Sequence, residues 1–196
     1  FLRYYLSSND LFFNKVQVGE EKMGDKNLDA QKQYYDERWG EKPVVLNFLE
    51  SERCLAVLKA LTRVRKYIER PKILDFGCGS GWLTDMLSHY GDATGIDLSS
   101  RAIEIAQKKY QNAKFLSGNI FEVGMEKESF DVIVSQEVIE HVENQVEYIN
   151  LVVQYLKKGG YLILTTPNKY ALDHWTEEKI KSWRLQPLEN WLYKRE

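Results

Sequence analysis

The stretch Ile73–Leu83, with the sequence ILDFGCGSGWL, decides the predicted fold. A short apolar run carries one acid, Asp75, and leads into three alternating glycines and the start of a helical pattern. Glycine adopts positive φ and has no Cβ, so such a loop turns sharply and lets a ligand approach the backbone. At the carboxyl end of the first strand of an open α/β sheet, this loop predicts a crevice for a nucleotide-like ligand.

The acidic residues around this loop refine the kind of ligand. The loop glycines are Gly77, Gly79 and Gly81. The third comes one place too early for the dinucleotide fingerprint Gly-x-Gly-x-x-Gly. The carboxylate of Asp75 would repel a pyrophosphate but would suit a cationic amino group. About twenty residues on, Asp97 ends the second strand, where a carboxylate accepts hydrogen bonds from ribose hydroxyls. Its alternative role is the N-cap of the next helix, which Ser99 or Ser100 can fill instead.

Downstream of Pro71, short apolar strands alternate with longer amphipathic helices. Helices are predicted at about 82–90, 100–110 and 142–156, with an earlier one over about 46–69. This order predicts an α/β fold, a Rossmann-like doubly wound and mostly parallel sheet with helices on both faces. Strands are predicted at Lys72–Phe76, Ala93–Ile96, Lys114–Leu116, Phe130–Ser135 and Gly160–Thr166.

The composition argues against several classes of protein. The 196 residues include 27 Lys plus Arg against 29 Asp plus Glu, a formal net charge of −2. This balance gives no broad basic footprint, so we expect no nucleic-acid partner. No run of 18 or more apolar residues occurs, so we expect no membrane span. The two cysteines, Cys54 and Cys78, form neither a disulfide framework nor a metal pattern, and the cytoplasm is the expected compartment.

From about residue 70 to residue 168, the chain resembles the class I S-adenosylmethionine-dependent methyltransferases. The glycine loop and Asp97 resemble the first two motifs of that family. Three later segments resemble its further motifs: Ser117–Ile120, Phe130–Glu137 and Leu156–Leu164. The resemblance implies S-adenosylmethionine as cofactor and S-adenosylhomocysteine as product. The family usually has an acid that contacts the adenine amino group where this chain has Asn119, whose side-chain oxygen can still accept that hydrogen bond.

The resemblance also implies a set of cofactor-binding residues. Cys78 stands where the family commonly has a small packing cysteine, which argues against a nucleophilic role. The residues expected to bind the cofactor are Tyr34, Asp75, Gly77, Cys78, Gly79, Gly81, Trp82, Asp97, Leu98, Asn119, Ile120 and Gln136.

The candidate catalytic residue is His141, which follows the fourth predicted strand at the mouth of the crevice. Imidazole titrates near neutral pH and could take a proton from a hydroxyl or phenol. Alternatively, His141 caps or packs the following helix. A third reading resembles metal-using quinone O-methyltransferases and, more faintly, small-RNA 2′-O-methyltransferases. In it, Glu137, Glu140 and His141 hold a divalent metal, with His174 completing the set. No metal ligand is assigned.

Both ends of the chain lie outside this predicted core of residues 46–168. Residues 1–45 are expected to form an N-terminal arm. The resemblance implies that Tyr34, Tyr35 and Trp39 in this arm form a lid over the cofactor, and the alternative is that they pack the arm onto the sheet. Residues 169–196 read as a helical tail, with a helix start at Pro187. The family sheet usually ends in an antiparallel hairpin, and we find no β-branched alternating run for it here. We therefore expect five parallel strands with an exposed edge at the fifth, so that either a homodimer covers this edge or further residues are missing from this chain.

These observations predict a methyltransferase that acts on an oxygen, or a nitrogen, of a small molecule such as a quinone, phenol or sugar. Two alternatives stay open. One is an RNA or protein methyltransferase, and the other is a non-catalytic subunit that uses the cofactor fold only to bind a partner. The presence of Asp75, the glycine loop and Asp97 together argues against the second alternative.

Overall fold

A computed structural model describes residues 25–38, 48–119, 121–142, 144–166 and 190–194. The helices are α1 (Asp25–Arg38), α2 (Phe48–Val64), α3 (Trp82–Ser88), α4 (Ser100–Lys109) and α5 (Gln145–Tyr155), with a 3-10 turn at Ile139–His141. The strands are β1 (Lys72–Phe76), β2 (Asp92–Asp97), β3 (Lys114–Ser117), β4 (Phe130–Gln136), β5 (Leu156–Thr165) and β6 (Asn190–Lys194).

The strands form one sheet in the order β3-β2-β1-β4-β5-β6. All neighbours from β3 to β5 are parallel, which confirms the five predicted parallel strands. The strand order reverses between β1 and β4, since the chain runs outward through β2 and β3 before it returns to pair β4 with β1. Ligands of open α/β sheets bind at such a switch point, beyond the carboxyl ends of the strands.

The central strands are buried on both faces, as a parallel sheet covered by helices requires. One face of the sheet packs against α2 and α3, where Val57, Leu61 and Leu87 are fully buried. The opposite face packs against α5 through Tyr148 and Val152. Helices on both faces confirm the doubly wound arrangement.

Several boundaries differ from the sequence-based expectation. Helix α2 ends at Val64, five residues before the predicted end at 69, and α5 begins at Gln145, three residues after the predicted start at 142. Helix α1 lies within the stretch predicted to form the N-terminal arm. Strand β5 begins at Leu156, four residues before the predicted Gly160, and pairs there with Phe130. The pairing resumes at Tyr161 opposite Val132, so the residues between them form an irregularity in the strand. Gly159 and Gly160 therefore lie within β5.

The prediction of an exposed β5 and a wholly helical tail is wrong. Strand β6 pairs antiparallel with β5, from Tyr161 opposite Lys194 to Thr165 opposite Asn190. Its sequence, NWLYK, contains two aromatic residues, which favour strands as β-branched residues do. The unpaired edge of β5 offers the hydrogen-bonding groups that such a segment needs. Pro187, the predicted helix start, lies outside the described residues.

Within the described segments, no helix combines the length and the apolar character that crossing a membrane requires.

Candidate cofactor and active site

The glycine loop between β1 and α3 folds back over the end of β2. The backbone N–H groups of Gly77 and Cys78 both donate to the carbonyl of Ile96, at 2.8 and 3.0 Å. Gly77 has φ 82°, and a Cβ there would collide with the side chain of Val138 beyond β4. Gly81 has φ 81°, and a Cβ there would collide with Phe115. Glycine is therefore required at both ends of the loop, for its φ and for the close approach.

Asp97, at the tip of β2, is held by the glycine loop and by the start of α4. Its Oδ2 accepts a hydrogen bond from the N–H of Gly79 at 2.8 Å, and its Oδ1 accepts one from the N–H of Ser99 at 2.9 Å. Burial raises the pKa of Asp97, while these two N–H groups lower it. A carboxylate has about four lone-pair sites, so each oxygen keeps acceptor capacity for a further hydroxyl.

Ser99 fills the capping role that was the alternative for Asp97. Its hydroxyl oxygen accepts the N–H of Ala102 at 3.1 Å and so caps α4. The helix N-cap is thus provided without the side chain of Asp97, and ribose binding by Asp97 stays a prediction.

Asp75 lies beneath the loop and not on its surface. Its side chain is buried, and the hydroxyl of Thr84 in α3 donates to its Oδ2 at 2.6 Å. The pKa of Asp75 is raised to about 7. Burial is the largest cause, the Thr84 hydrogen bond lowers the pKa, and the charge of Asp97 raises it. The structure therefore places this acid inside the fold, close to Asp97, and its predicted contact with an amino group is not tested.

Two other predicted cofactor residues, Cys78 and Trp82, pack against the core. Cys78 is buried, and its Sγ lies where a Cβ on Gly95 of β2 would stand. Burial and the charge of Asp75 raise the pKa of its thiol, which fits the expected packing role. Trp82 packs its ring against the core beneath α2 and α3, and Leu98 is half-buried.

The turn after β3 brings Asn119 toward the same edge of the sheet. The N–H of Gly118 donates to the carbonyl of Asp97 at 3.0 Å, which ties this turn to the tip of β2. The Oδ1 of Asn119 accepts the N–H of Phe121 at 3.0 Å and holds the turn closed. That oxygen keeps one lone pair for a ligand, so the adenine contact stays a prediction. Ile120 lies outside the described residues.

Three buried polar atoms lack a hydrogen-bond partner among the described residues. They are the Oε1 of Gln136, at the end of β4, the Oγ of Ser80, in the glycine loop, and the Nε of Arg53, on α2. Such groups are costly unless they are satisfied, and a bound ligand is one way to satisfy them. Gln136 ends β4 beside the switch point, and its role as a cofactor residue stays a prediction.

Arg53 is a residue of this region that the sequence did not reveal. It lies on α2, and its Nη2 stands 2.9 Å from the Oε2 of Glu137. The Oε1 of Glu137 accepts the hydroxyl of Thr165 in β5 at 3.2 Å. Glu137 has φ 56°, an uncommon backbone conformation for a residue with a side chain. Burial raises the pKa of Glu137, Arg53 lowers it, and Glu140 raises it.

His141 lies at the mouth of the site, in the 3-10 turn after β4. Its side chain is 58% exposed, and its Nε2 lies 4.0 Å from the Oε1 of Glu140. Glu140 in turn accepts the hydroxyl of Thr166 at 3.3 Å. Exposure of this kind allows His141 to meet a substrate hydroxyl. In the described part of the chain, no group of three or more His, Cys, Asp or Glu side chains has a metal-binding arrangement. His174 lies outside it.

The aromatic residues of the arm reach this mouth through α1. The Tyr35 ring stands edge-on to His141, with 6.3 Å between centroids. Tyr34 packs edge-on to Tyr35 at 5.3 Å and is 59% exposed. Tyr35 thus favours the lid reading of the arm, while the cofactor contact of Tyr34 stays a prediction. Trp39 lies outside the described residues.

Comparison with known proteins agrees with this geometry. Residues 74–164 match the protein family described as "Methyltransferase domain". The chain is 30% identical over 141 residues to the mitochondrial ubiquinone biosynthesis O-methyltransferase of Schizosaccharomyces pombe, covering 68% of this chain and 51% of that protein. It is 36% identical over 103 residues to the malonyl-[acyl-carrier protein] O-methyltransferase of Halalkalibacterium halodurans, covering 48% of this chain and 38% of that protein.

A solved structure with a similar fold is phosphoethanolamine N-methyltransferase 1 of Haemonchus contortus, bound to phosphoethanolamine and S-adenosylhomocysteine. The TM-score is 0.64 at 18% identity, covering 75% of this chain and 34% of that one. The sheet order, the glycine loop and the family match identify the chain as a member of the class I S-adenosylmethionine-dependent methyltransferases. The chain spans about half the length of the S. pombe relative.

Proposed function

We propose that the chain transfers a methyl group from S-adenosylmethionine to an oxygen of a small molecule. The observation that carries the proposal is the carboxylate of Asp97. It is fixed between the N–H groups of Gly79 and Ser99, at the tip of β2 beside the sheet's switch point. There the carboxylate presents hydrogen-bond acceptors to a ligand in the crevice. Such acceptors suit the hydroxyl groups of a ribose.

The residues present fit this cofactor. Asp97 supplies acceptors for the ribose, and the glycine loop, with its positive φ angles, lets a ligand lie against the backbone. The buried Oε1 of Gln136 and Oγ of Ser80 offer unsatisfied polar atoms to the same ligand. When bound, the cofactor would supply a methyl group on a positively charged sulfur, a donor that is already activated. The protein's main contribution is then to hold the acceptor in line.

The acceptor side is formed by the turn after β4. His141 is exposed there, and its Nε2 stands 4.0 Å from the Oε1 of Glu140. A hydroxyl must lose its proton to attack, and a base near neutral pH serves that step. The S. pombe and H. halodurans relatives carry O-methyltransferase names, which supports an oxygen acceptor.

Several expectations remain part of this proposal. We keep the cytoplasm as compartment and expect no nucleic-acid partner, on the charge balance alone. The sequence predicts a homodimer that covers an unpaired edge of β5. In the structure, β6 pairs with that edge. Metal use by Glu137, Glu140 and His141 is a weaker alternative, because Glu137 already forms an ion pair with Arg53 and accepts a hydrogen bond from Thr165.

A methyl-transfer assay tests the proposal. The purified chain is incubated with methyl-tritiated S-adenosylmethionine and one of three acceptors: catechol, o-phenylenediamine or total RNA. Catechol and o-phenylenediamine have a similar shape and differ in the reacting atom. We expect labelled methyl ether from catechol, with equimolar S-adenosylhomocysteine, and little transfer to the diamine. Transfer only to the diamine would overturn the oxygen assignment, and transfer to RNA but to neither small molecule would favour the RNA alternative. Loss of the product on addition of EDTA and its return with Mg²⁺ would favour the metal alternative.

A further inference from the structure

Ser99 connects helix α1 to the predicted ribose site. Its N–H donates to Asp97, and its hydroxyl donates to the Oδ1 of Asp36 in α1. The same Oδ1 of Asp36 accepts the N–H of Arg101 at 3.2 Å, in the first turn of α4. One carboxylate therefore fastens α1 to the residue that orients Asp97.

The residue before Asp36 contacts the opposite side of the crevice. Tyr35 stands edge-on to His141, which follows β4, whereas Asp36 binds the segment that follows β2. Strands β2 and β4 are the two neighbours of β1. The last turns of α1 therefore span the mouth of the crevice, from the segment that follows β2 to the turn that follows β4.

We propose that Asp36 is a positioning residue for the cofactor: it docks α1 across the mouth of the crevice, so that docking of this helix and binding of the adenosyl ligand stabilise each other. The inference rests on the proposed function, because it assumes that the ligand lies in this crevice. Asp36 itself contacts Ser99 and Arg101, and it acts on the ligand through Ser99 and through the cover that α1 provides.

The physical expectation is a slower departure of the ligand. A covering segment shields the ligand from water and must open before it leaves, so weakening its attachment raises the dissociation rate more than it lowers the association rate. Loss of both hydrogen bonds to Asp36 should weaken binding by about tenfold. An asparagine keeps the acceptor oxygen and removes a charge close to Asp97, so Asp36→Asn should bind nearly as tightly as the parent protein.

The test uses S-adenosylhomocysteine as the probe and compares the parent chain with Asp36→Ala, Asp36→Asn and Glu37→Ala. Glu37 is the neighbouring acid, is exposed and accepts a hydrogen bond from Gln33 within α1, so its loss is a matched control. Calorimetry gives the affinity and stopped-flow displacement gives the dissociation rate. Hydrogen exchange of the parent chain, with and without the probe, reports whether the amides of residues 25–38 become protected.

We expect about tenfold weaker binding and faster dissociation for Asp36→Ala only, together with ligand-induced protection of α1 in the parent chain. Unchanged affinity in Asp36→Ala, or an equal loss in Glu37→Ala, would overturn the role of Asp36 while leaving the cofactor site intact. If the probe does not change hydrogen exchange in α1 of the parent chain, the role of Asp36 is also overturned. This result holds even if Asp36→Ala fails to fold. A parent chain that does not bind the probe would instead overturn the proposed function and this inference with it.

Discussion

The Nη2 of Arg53 lies 2.9 Å from the Oε2 of Glu137, and this ion pair joins α2 to the turn that follows β4. The pair lies largely out of solvent, with the two side chains 22% and 17% exposed. Glu137 also accepts a hydrogen bond from the hydroxyl of Thr165 in β5, so residues of α2 and β5 both hold its carboxylate. The turn that carries His141 is thereby anchored to α2 and β5.

Replacement of Arg53 by alanine should destabilise the ligand-free protein by about 1–3 kcal/mol, because the carboxylate of Glu137 is left partly buried without its cation. Urea unfolding measures the change. The control is Arg63→Ala, an exposed residue in the last turn of the same helix, which should change stability by less than about 0.5 kcal/mol. Equal effects of the two substitutions would contradict a stabilising ion pair.

Asp75 should make the ligand-free fold less stable as pH rises. Burial raises its pKa to about 7, whereas the unfolded chain has a value of about 3.9. Between these values the folded state binds more protons than the unfolded state, so the stability linked to Asp75 is full below about pH 4 and is lost as pH rises through about 7.

The test is Asp75→Asn, whose amide oxygen can still accept the Thr84 hydroxyl. Its free energy of unfolding, relative to the parent chain, should rise steadily from about pH 4.5 to about pH 8. Asp92→Asn, an exposed position on β2, should follow the parent curve throughout. If the Asp75→Asn and parent curves run parallel across this range, the buried carboxyl is not the source of the pH dependence.

His141→Ala should lower kcat by about a hundredfold or more if the imidazole is the general base, with little change in cofactor affinity. His89→Ala removes another exposed histidine, at the end of α3, and should behave as the parent. Undiminished turnover by His141→Ala over about pH 6 to 9 would leave this residue a structural role.

Removal of residues 190–196 should expose the edge of β5. Because an unpaired strand edge pairs readily with other chains, the shortened protein should associate with increasing concentration. Light scattering coupled to size-exclusion chromatography measures this, and removal of residues 195–196 alone is the control. A shortened chain whose mass stays that of the parent at all concentrations would mean that β6 does not protect this edge.

The sequence predicted the parts of the fold that local pattern determines. The apolar runs of β1, β4 and the later part of β5 are buried on both faces, so composition alone marks them as strands. The turn chemistry of the glycine loop and the N-cap by Ser99 were also readable, because both depend on nearby residues. Strand β6 was not predicted because its segment lacks β-branched residues, although Trp191 and Tyr193 also favour strands.

The contacts that complete the site depend on tertiary structure and could not be read in this way. Arg53 lies on an ordinary amphipathic helix. Its position in the sequence does not indicate that its partner is Glu137, 84 residues later. The docking of Asp36 on Ser99 likewise joins residues 63 positions apart. The positive φ of Glu137 could not be predicted from the residue type, because glutamate rarely adopts this conformation.

The central claim is that Asp97 binds the ribose of the cofactor. Calorimetric titration with S-adenosylhomocysteine, comparing Asp97→Asn with Asp92→Asn, tests it most directly, because the same change is made at the two ends of one strand. We predict that Asp97→Asn weakens binding by about tenfold to a hundredfold, the loss expected for hydrogen bonds to a charged group, and that Asp92→Asn binds as the parent does. Unchanged affinity in Asp97→Asn, or equal losses in both variants, would contradict the account.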